Sequence, residues 1–343
     1  MKINCHDTFS PCKEVILGDI NNTLLDTVEN ENQKFILKDV IHETKEDLEN
    51  IQKVLESFDI SVLRPNVNAN FSCPIATPYF ETYGWHLPLT PRDIFFIYED
   101  KFIVTTPMDR NRYFEHHCYE NIIQYYFDND SQILSMPFSA LSETTYLNIN
   151  EEYQYFNNDF PMISAANIMK YGKDIFIIDS MSANKKGAQW IKRQLGDEYR
   201  VHTLPECFSG HIDSIINILK PGVVSSVAGK SLLPDFFKNW EVICLEDTDL
   251  RKMSIQNDSA LLISDNIQDD DFEGTYLGYN MFPIDQEHVL LNSFTDKSIL
   301  KQLEKNKITP VFADIQHSNF LNQGHTCCIL DTVRDSNLED YTS

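Results

Sequence analysis

The order of hydrophobic and polar positions along this chain repeats five times. Leu48, Ile51 and Leu55 lie three or four residues apart, the spacing that places side chains on one face of a helix. A short apolar run at 60–65 follows at once and predicts a strand. The same order, an amphipathic helical stretch and then a short apolar run, recurs at 112–127, 185–196, 231–240 and 296–307.

Strand-like runs also precede each helical stretch. They are EVILGD (14–19), DIFFIYEDKFIVTTP (93–107), DIFIID (174–179), VVSSV (223–227) and HVLLNSF (288–294). Helices that alternate with strands must bury one face against a sheet, which is typical of an α/β fold. Because the units span the whole chain, we predict one α/β domain over 1–343, a pseudo-symmetric, propeller-like body of five units. The polar tail 336–343 is expected to be loosely packed.

Composition narrows the classes of function. The chain carries a formal net charge of −24 over 343 residues, and such a field repels phosphate backbones and anionic lipid. We therefore expect neither nucleic acid nor membrane as a partner. A small cation such as a guanidine would be attracted, although an acidic surface is more often only a solubility device.

The cysteines indicate the redox setting. Eight are present, and none forms a CxxC pair, so neither a zinc ribbon nor a disulfide framework is indicated. No run approaches the ~20 apolar residues of a spanning helix, and the first residues lack the apolar segment of a signal peptide. We expect a reduced, cytoplasmic protein.

Four polar clusters lie at the predicted ends of these elements. They are PRD (91–93), PMDRNR (107–112), GHID (210–213) and GHTCC (324–328). Loops at one end of pseudo-symmetric units converge, so residues far apart in sequence can meet there. A cysteine near a histidine suits nucleophilic catalysis, but a small core residue beside a turn is a frequent alternative. On the residues alone, both roles stay open for Cys327 and Cys328.

Taken in order, these motifs resemble those of the amidinotransferases, the group that contains glycine amidinotransferase and the inosamine-phosphate amidinotransferases. The resemblance covers nearly the whole chain. It is carried by SPCKEVILGD (10–19), ETYGWHLPLTPRDIFF (81–96), FIVTTPMDRNRYFE (102–115), GHIDSIINILKPGVV (210–224) and GHTCCILDTVR (324–334). It implies the fold of the guanidine-modifying pentein superfamily, a propeller of five ββαβ units.

The resemblance also implies a reaction. A cysteine thiolate attacks the central carbon of a guanidinium, an amine leaves, and the amidino group on sulfur moves to an acceptor amine. A histidine exchanges protons with the two amines, and carboxylates hold the planar cation. No metal or organic cofactor is implied. The expected partners are a small-molecule guanidine donor such as arginine and a small amine acceptor, and the group often forms homodimers.

Each functional position of the family has a counterpart here. Cys327 takes the place of the nucleophile, because Asp331 stands four residues after it as the family pattern requires. His211 matches the general acid and base, and Asp213 matches its neighbouring aspartate. Asp93 matches the guanidinium-binding aspartate, although a simple turn aspartate is the other interpretation.

Three basic residues have two interpretations each. Arg110 and Arg112 match paired arginines of the family, which either contact substrate or order the site through ion pairs, for example with Glu115. Lys230 stands where glycine amidinotransferases have an arginine for the substrate carboxylate. A lysine lacks the bidentate fork of arginine, so a solvated surface lysine explains it equally well.

The pattern breaks at the third motif. The family has F-D-A-A where this chain has ISAA (163–166), so Ser164 occupies the position of a catalytic aspartate. Loss of a carboxylate facing a cation costs on the order of 2–4 kcal/mol of transition-state stabilisation, or roughly 10²–10³ in rate. Asp159 is one residue that could compensate. The glycine-rich loop before the nucleophile is also altered, to NQGHTC (322–327).

The sequence therefore predicts an amidinotransferase that uses a covalent amidino-cysteine intermediate. Two alternatives stay open. A guanidine hydrolase of arginine deiminase type would pass the same group to water, and a catalytically weakened or inactive relative would only bind a guanidine. The serine in the third motif favours the second alternative.

Overall fold

A computed structural model of the chain describes residues 1–67, 75–82, 87–106, 110–142, 146–150, 153–156, 160–178, 182–204, 211–227, 229–230, 233–244, 280–318, 321 and 323–342. Its α-helices are Glu31–Ser57, Pro91–Ile94, Glu120–Asp128, Lys185–Leu195, Ile212–Ile215, Lys297–Lys305 and His325–Cys328. Its 3₁₀ turns are Asn22–Thr27, Arg110–Arg112, Glu115–Tyr119, Ala165–Asn167 and Asp235–Phe237. The fold is a mixed α/β fold.

Within these residues the strands form five three-stranded sheets. In spatial order, the first sheet contains Ile329–Arg334, Cys12–Leu17 and Ser61–Leu63, and the second contains Phe95–Tyr98, Lys101–Val104 and Gln132–Ser135. The third contains Ile168–Tyr171, Asp174–Ile178 and Arg200–Leu204, and the fourth contains Ile216–Lys220, Val223–Ser226 and Glu241–Ile243. The fifth contains Phe282–Pro283, His288–Leu291 and Thr309–Phe312. Two further hairpins are Ile75–Ala76 with Glu81–Thr82 and Tyr146–Asn150 with Tyr153–Phe156.

The five sheets share one pattern of connection. In each, the middle strand pairs antiparallel with one neighbour and parallel with the other. A parallel pair needs a crossover, which usually carries a helix. Four of the five crossovers contain an α-helix of nine residues or more, and these helices cover the sheets. This order of elements is what the repeated hydrophobic pattern predicts.

The structure corrects the extent of two predicted helices. The first begins at Glu31, well before the predicted start, because Asn30 caps it by accepting hydrogen bonds from the N–H groups of Asn32 and Gln33. The stretch 231–240 was predicted to be an amphipathic helix, but its described part forms only the 3₁₀ turn Asp235–Phe237. Bulky aromatic side chains favour helices weakly, and here they pack into an aromatic cluster around Phe176.

The C-terminal residues contact the body of the protein. Tyr341 stacks on Tyr171 with ring centroids 4.6 Å apart, and its hydroxyl donates to Asp7. Asp340 pairs with Arg200. These contacts involve the tail for which the sequence predicts loose packing. No helix among the described residues is both long and apolar enough to cross a membrane.

Asp331, whose spacing from Cys327 identified the position of the nucleophile in the sequence, lies in a buried ionic cluster. It accepts a hydrogen bond from Arg334 Nε at 2.6 Å and lies 3.2 Å from Lys170 Nζ. Burial alone would raise the pKa of this carboxyl, but Lys170 and Arg334 outweigh burial and hold the pKa at about 2. The cluster ties the strand that follows the cysteine, which belongs to the first sheet, to Lys170 of the third sheet.

We expect Asp331→Asn to lower the free energy of unfolding at pH 7 by about 3–5 kcal/mol, because it leaves two buried cations without this partner. The folded pKa lies below the ordinary 3.8, so the carboxylate stabilises the native state above about pH 4 and loses this effect as the pH falls towards 2. The difference between variant and parent should therefore narrow in acid. Urea unfolding at pH 7 and pH 3 measures it.

The exposed Asp130 provides the control, since Asp130→Asn should change stability by less than about 0.5 kcal/mol at either pH. A stability difference for Asp331→Asn that stays constant from pH 7 to pH 3 would contradict the assignment.

Candidate active site

Short helical turns stand directly before the first strands of four sheets. They are Pro91–Ile94, Ala165–Asn167, Ile212–Ile215 and His325–Cys328. The turn at 91–94 packs against those at 165–167 and 325–328, and the turn at 212–215 packs against 165–167. The fold therefore gathers four motifs that are far apart in sequence.

Asp93 lies on the first of these turns and is buried. One carboxylate oxygen, Oδ2, accepts hydrogen bonds from Arg112 and from the Thr90 hydroxyl, the latter at 3.0 Å. The other oxygen, Oδ1, lies 3.5 Å from His211 Nδ1. Burial acts to raise the pKa of Asp93, but Arg112 and His211 act more strongly in the opposite direction, and the pKa is lowered. The carboxylate is therefore charged at neutral pH.

Arg112 orders the site through ion pairs. Its Nε and Nη2 bind the two oxygens of Glu115 at 2.6 and 2.9 Å, and Nη1 binds Asp93. The predicted pairing with Glu115 is present. Of the two interpretations of Arg112, this geometry favours ordering of the site through ion pairs over contact with the substrate.

The described contacts of Arg110 and Lys230 lie away from the carboxylates, the histidine and the cysteine of the site. Arg110 donates from Nε to the backbone oxygen of Leu141 at 2.8 Å and lies over the ring of Phe80. Lys230 is exposed and donates to the backbone oxygen of Trp240 at 2.9 Å. Neither residue has a recorded hydrogen bond to Asp93, His211 or Cys327 within the described ranges, so their predicted substrate contacts remain predictions.

His211 and Asp213 belong to the turn before the fourth sheet. His211 precedes the first helical residue and keeps 28% of its side chain exposed. Asp213 is buried, 3.9 Å from Arg92 Nε, and accepts a hydrogen bond from the Thr326 hydroxyl at 3.5 Å. Burial raises the pKa of Asp213 despite the opposing effects of Arg92 and His211. Among the described residues this carboxylate has the ion pair with Arg92 but no hydrogen bond from a cationic side chain.

Cys327 lies on the last turn and is 4% exposed. Burial is the largest cause that raises the pKa of its thiol, and Asp213 and Asp93 raise it further. The turn of Asp93 packs against the turn of Cys327, and Asp213 contacts the neighbouring Thr326, so both carboxylates lie near the sulfur. The thiol is protonated at neutral pH. Asp93 also lies near His211, and the joint catalytic role of Cys327, Asp93, Asp213 and His211 stays a prediction.

Cys328 and His325 point into the protein. Cys328 is fully buried in the hydrophobic core cluster that includes Leu17, Leu55 and Ile329. His325 is also buried and bonds through Nε2 to the backbone oxygen of Ala313. The histidine next to the cysteines is therefore a packing residue, and the histidine close to the carboxylates is His211.

Ser164 stands directly before the 3₁₀ turn of the third sheet. Its hydroxyl donates to the backbone oxygen of Asp93 at 3.1 Å. It therefore joins two of the turns but supplies no charge to the site. Asp159 and Gly210, and residues 107–109 and 322 of the motifs, lie outside the described residues.

Two polar residues of the site, the partly buried Arg92 and the buried Asn280, were missed by the sequence reasoning. Arg92 donates from Nη1 to the backbone oxygen of Ala165 at 2.7 Å and also to that of Ile168. Asn280 contacts Cys327 and its turn. The signal for Arg92 was its place inside the PRD motif. Asn280 lies outside every motif, two residues before Phe282–Pro283, a strand that the sequence did not predict. Among the described residues, no cluster of three or more His, Cys, Asp or Glu could hold a metal ion.

No family model matches this chain. It is 27% identical to inosamine-phosphate amidinotransferase 1 of Streptomyces griseus, over 99% of this chain and 99% of that protein. It is 26% identical to the mitochondrial glycine amidinotransferase of Gallus gallus, over 98% of this chain and 84% of that protein.

Solved structures agree with these relatives. The inosamine-phosphate amidinotransferase of Streptomyces griseus superimposes with a TM-score of 0.82 at 25% identity, and the match covers 99% of both chains. DDAH of Pseudomonas aeruginosa superimposes with a TM-score of 0.59 at 13% identity, over 94% of this chain and 99% of that one, which is a likeness of fold alone.

The fold and the full-length similarity define the chain as an enzyme of the transferase class, one that transfers amidino groups. The resemblance to the amidinotransferases that the motifs indicated is confirmed, and it extends to both the inosamine-phosphate and the glycine enzymes.

Proposed function

We propose that this chain moves the amidino group of arginine, or of a similar guanidine, to a small amine through a covalent intermediate on Cys327. One observation carries the proposal. Asp93 Oδ1 and Asp213 Oδ1 are both buried and have no hydrogen-bond partner among the described residues. Buried carboxylate oxygens without donors are costly, and a planar guanidinium would supply the missing N–H groups to both.

In the proposed reaction, each residue acts at a defined atom. The Cys327 thiol passes its proton to His211 as the sulfur attacks the guanidinium carbon, and His211 gives this proton to the departing amine as its C–N bond breaks. With arginine as donor, this amine is ornithine. His211 then takes a proton from the acceptor amine, which attacks the amidino carbon, and the proton returns to the sulfur as the C–S bond breaks. Asp93 and Asp213 hold the cation and orient it, and the ion pair of Asp93 with Arg112 fixes the first carboxylate.

The same two carboxylates explain how binding of the guanidine donor activates the nucleophile. In the free protein their charge and the burial raise the pKa of Cys327. A bound guanidinium offsets these charges and lowers the cost of forming a thiolate beside it. The thiolate therefore forms together with the bound donor, which protects a buried thiol from other electrophiles.

Mass spectrometry of the intact and digested protein tests the proposal. The protein is incubated with arginine without an acceptor and quenched in acid. We expect an amidino group on Cys327, release of ornithine, and discharge of the adduct when an amine is added. Neither adduct nor ornithine, across a panel of guanidines and amines, would refute the proposal.

Two alternatives have distinct outcomes in this experiment. Citrulline formed without any acceptor amine would indicate a guanidine hydrolase of arginine deiminase type. Binding of guanidines without an adduct would indicate a weakened relative. The uncharged Ser164, whose hydroxyl is bonded to a backbone oxygen, favours the second alternative over the first.

Ser164→Asp tests this weakening directly. The new carboxylate would face the bound cation, and we expect kcat/KM to rise by about 10–100-fold. The matched control is Ser164→Asn, which has the shape of aspartate without the charge and should give no rise. Equal rates for the two variants would show that charge at this position has no effect on catalysis.

Further features of the proposal concern the whole molecule. We propose that the five sheets are arranged as a five-unit propeller, which the shared connection pattern and the structural likenesses support. A guanidine donor and an amine acceptor as partners, a homodimer and a cytoplasmic location stay predictions from the sequence, as does a carboxylate contact for Lys230.

A further inference from the structure

The segment before the fifth sheet is the one to which the sequence assigned no function. Four sheets begin directly after a turn that carries a candidate catalytic residue, namely Asp93, Ser164, His211 with Asp213, or Cys327. The equivalent position before Phe282–Pro283 is occupied by Asn280 and Met281. Asn280 is 1% exposed, so its amide is buried with the other site groups.

The side-chain amide of Asn280 contacts both the sulfur of Cys327 and the turn that carries this cysteine. Nδ2 donates to Cys327 Sγ at 3.4 Å. Oδ1 accepts two hydrogen bonds from Thr326, one from the backbone N–H and one from the hydroxyl, each at 2.6 Å. All three contacts lie on the turn that carries the nucleophile, and the Thr326 hydroxyl also reaches Asp213.

Gly324 makes room for this arrangement. A Cβ atom at position 324 would lie only 2.5 Å from Cβ and Cγ of Asn280. The single glycine that persists in the altered loop is therefore the one that lets the asparagine side chain reach the sulfur. Its backbone is extended, so space rather than a left-handed conformation requires the glycine.

We propose that Asn280 is a further catalytic residue, whose amide N–H stabilises the Cys327 thiolate while its carbonyl oxygen fixes the direction of the sulfur. The proposal rests on the proposed function of Cys327 as the nucleophile. A neutral thiol gains little from this contact, whereas a thiolate receives a charge-assisted hydrogen bond that is roughly twice as strong. The amide is already in place, so it stabilises charge without reorganisation.

Alkylation of Cys327 by iodoacetamide, followed site by site with mass spectrometry between pH 6 and pH 11, tests this without any guanidine. We expect Asn280→Ala to slow alkylation at pH 8 by about tenfold or more and to move the midpoint of the pH profile upward by about one unit. Asn280→Asp, which keeps Oδ1 but replaces the donor by a charge, should move it further.

The other groups around the sulfur are common to all variants. They are Asp93, Asp213 and Cys328 near the thiol, with Arg92 and His211 behind the two carboxylates. The difference between variants therefore reports the amide alone. Asn292→Ala is the control, since this asparagine is also buried but caps the backbone N–H of Ile315, and it should leave the alkylation profile unchanged.

Thermal unfolding accompanies each measurement. If Asn280→Ala does not fold, Asn280→Ser replaces it, because the shorter hydroxyl cannot span the contact to the sulfur. A folded Ala or Ser variant whose alkylation profile coincides with that of the parent would overturn the proposal. Because alkylation needs no donor, failure to find an amidino adduct leaves this result distinct from the test of the proposed function.

Discussion

Replacing Cys327 by alanine should abolish the amidino adduct and lower turnover by on the order of 10⁴ or more, because the reaction then lacks its nucleophile. The buried carboxylates Asp93 and Asp213 would remain, so the variant should still bind guanidines. The loss would thus fall on kcat rather than on binding. Ornithine release from arginine and titration of guanidine binding by calorimetry measure the two effects separately.

The neighbouring cysteine is the matched control. Cys328→Ala removes a sulfur only one residue away, but this side chain is part of the hydrophobic core and donates to the backbone oxygen of His325. We expect activity within about threefold of the parent and a loss of stability of about 1 kcal/mol. Loss of the adduct in Cys328→Ala together with its retention in Cys327→Ala would reverse the assignment.

Asp93→Asn should reduce kcat/KM by about 10²–10³-fold. The substitution removes the charge that faces the cation and puts an amide opposite Arg112, whose guanidinium then keeps only Glu115 as an anionic partner. It also removes one of the two carboxylates that raise the pKa of the Cys327 thiol. In the absence of donor, alkylation of the thiol should therefore become faster while catalysis becomes slower. Steady-state kinetics and iodoacetamide labelling measure these opposite changes.

A buried aspartate away from the site controls for loss of charge as such. Asp47 accepts two hydrogen bonds from Gln316 and is 7% exposed. Asp47→Asn should change stability but leave both the kinetics and the labelling rate of Cys327 unaltered. If Asp93→Asn behaved in the same way, Asp93 would be a turn residue and not part of a cation site.

The helices and strands could be predicted because each of them buries one face, so that hydrophobic residues recur with the period of a helix or of a strand. The prediction of a helix at 231–240 was wrong because the apolar residues of this stretch pack in an aromatic cluster with the third sheet. A contact between such distant segments leaves no signal in the local sequence. The early start of the first long helix at Glu31 was missed because it depends on a single capping residue, Asn30.

The candidate site could be predicted as far as its motifs extended. Asp93, His211 and Cys327 could be singled out as candidates because each lies in a cluster of polar residues that is conspicuous in the local sequence. Asn280 was missed because the stretch around it, GYNMFP, holds no second polar site residue, and only the equivalence of the five sheets marks its position. The role of Arg112 needed coordinates, because only folding brings Thr90 and Asp93 beside it, in addition to its near neighbour Glu115.

The strand after Cys327 pairs along its length with Cys12–Leu17, one of the first strands of the chain. Most of the described sequence lies between these two strands, so the sulfur is held in place by a pairing of high contact order. Such a pairing forms slowly, because a long loop must close before the two strands can meet. We therefore expect the reactivity of Cys327 to appear late in refolding, after the secondary structure of the separate units.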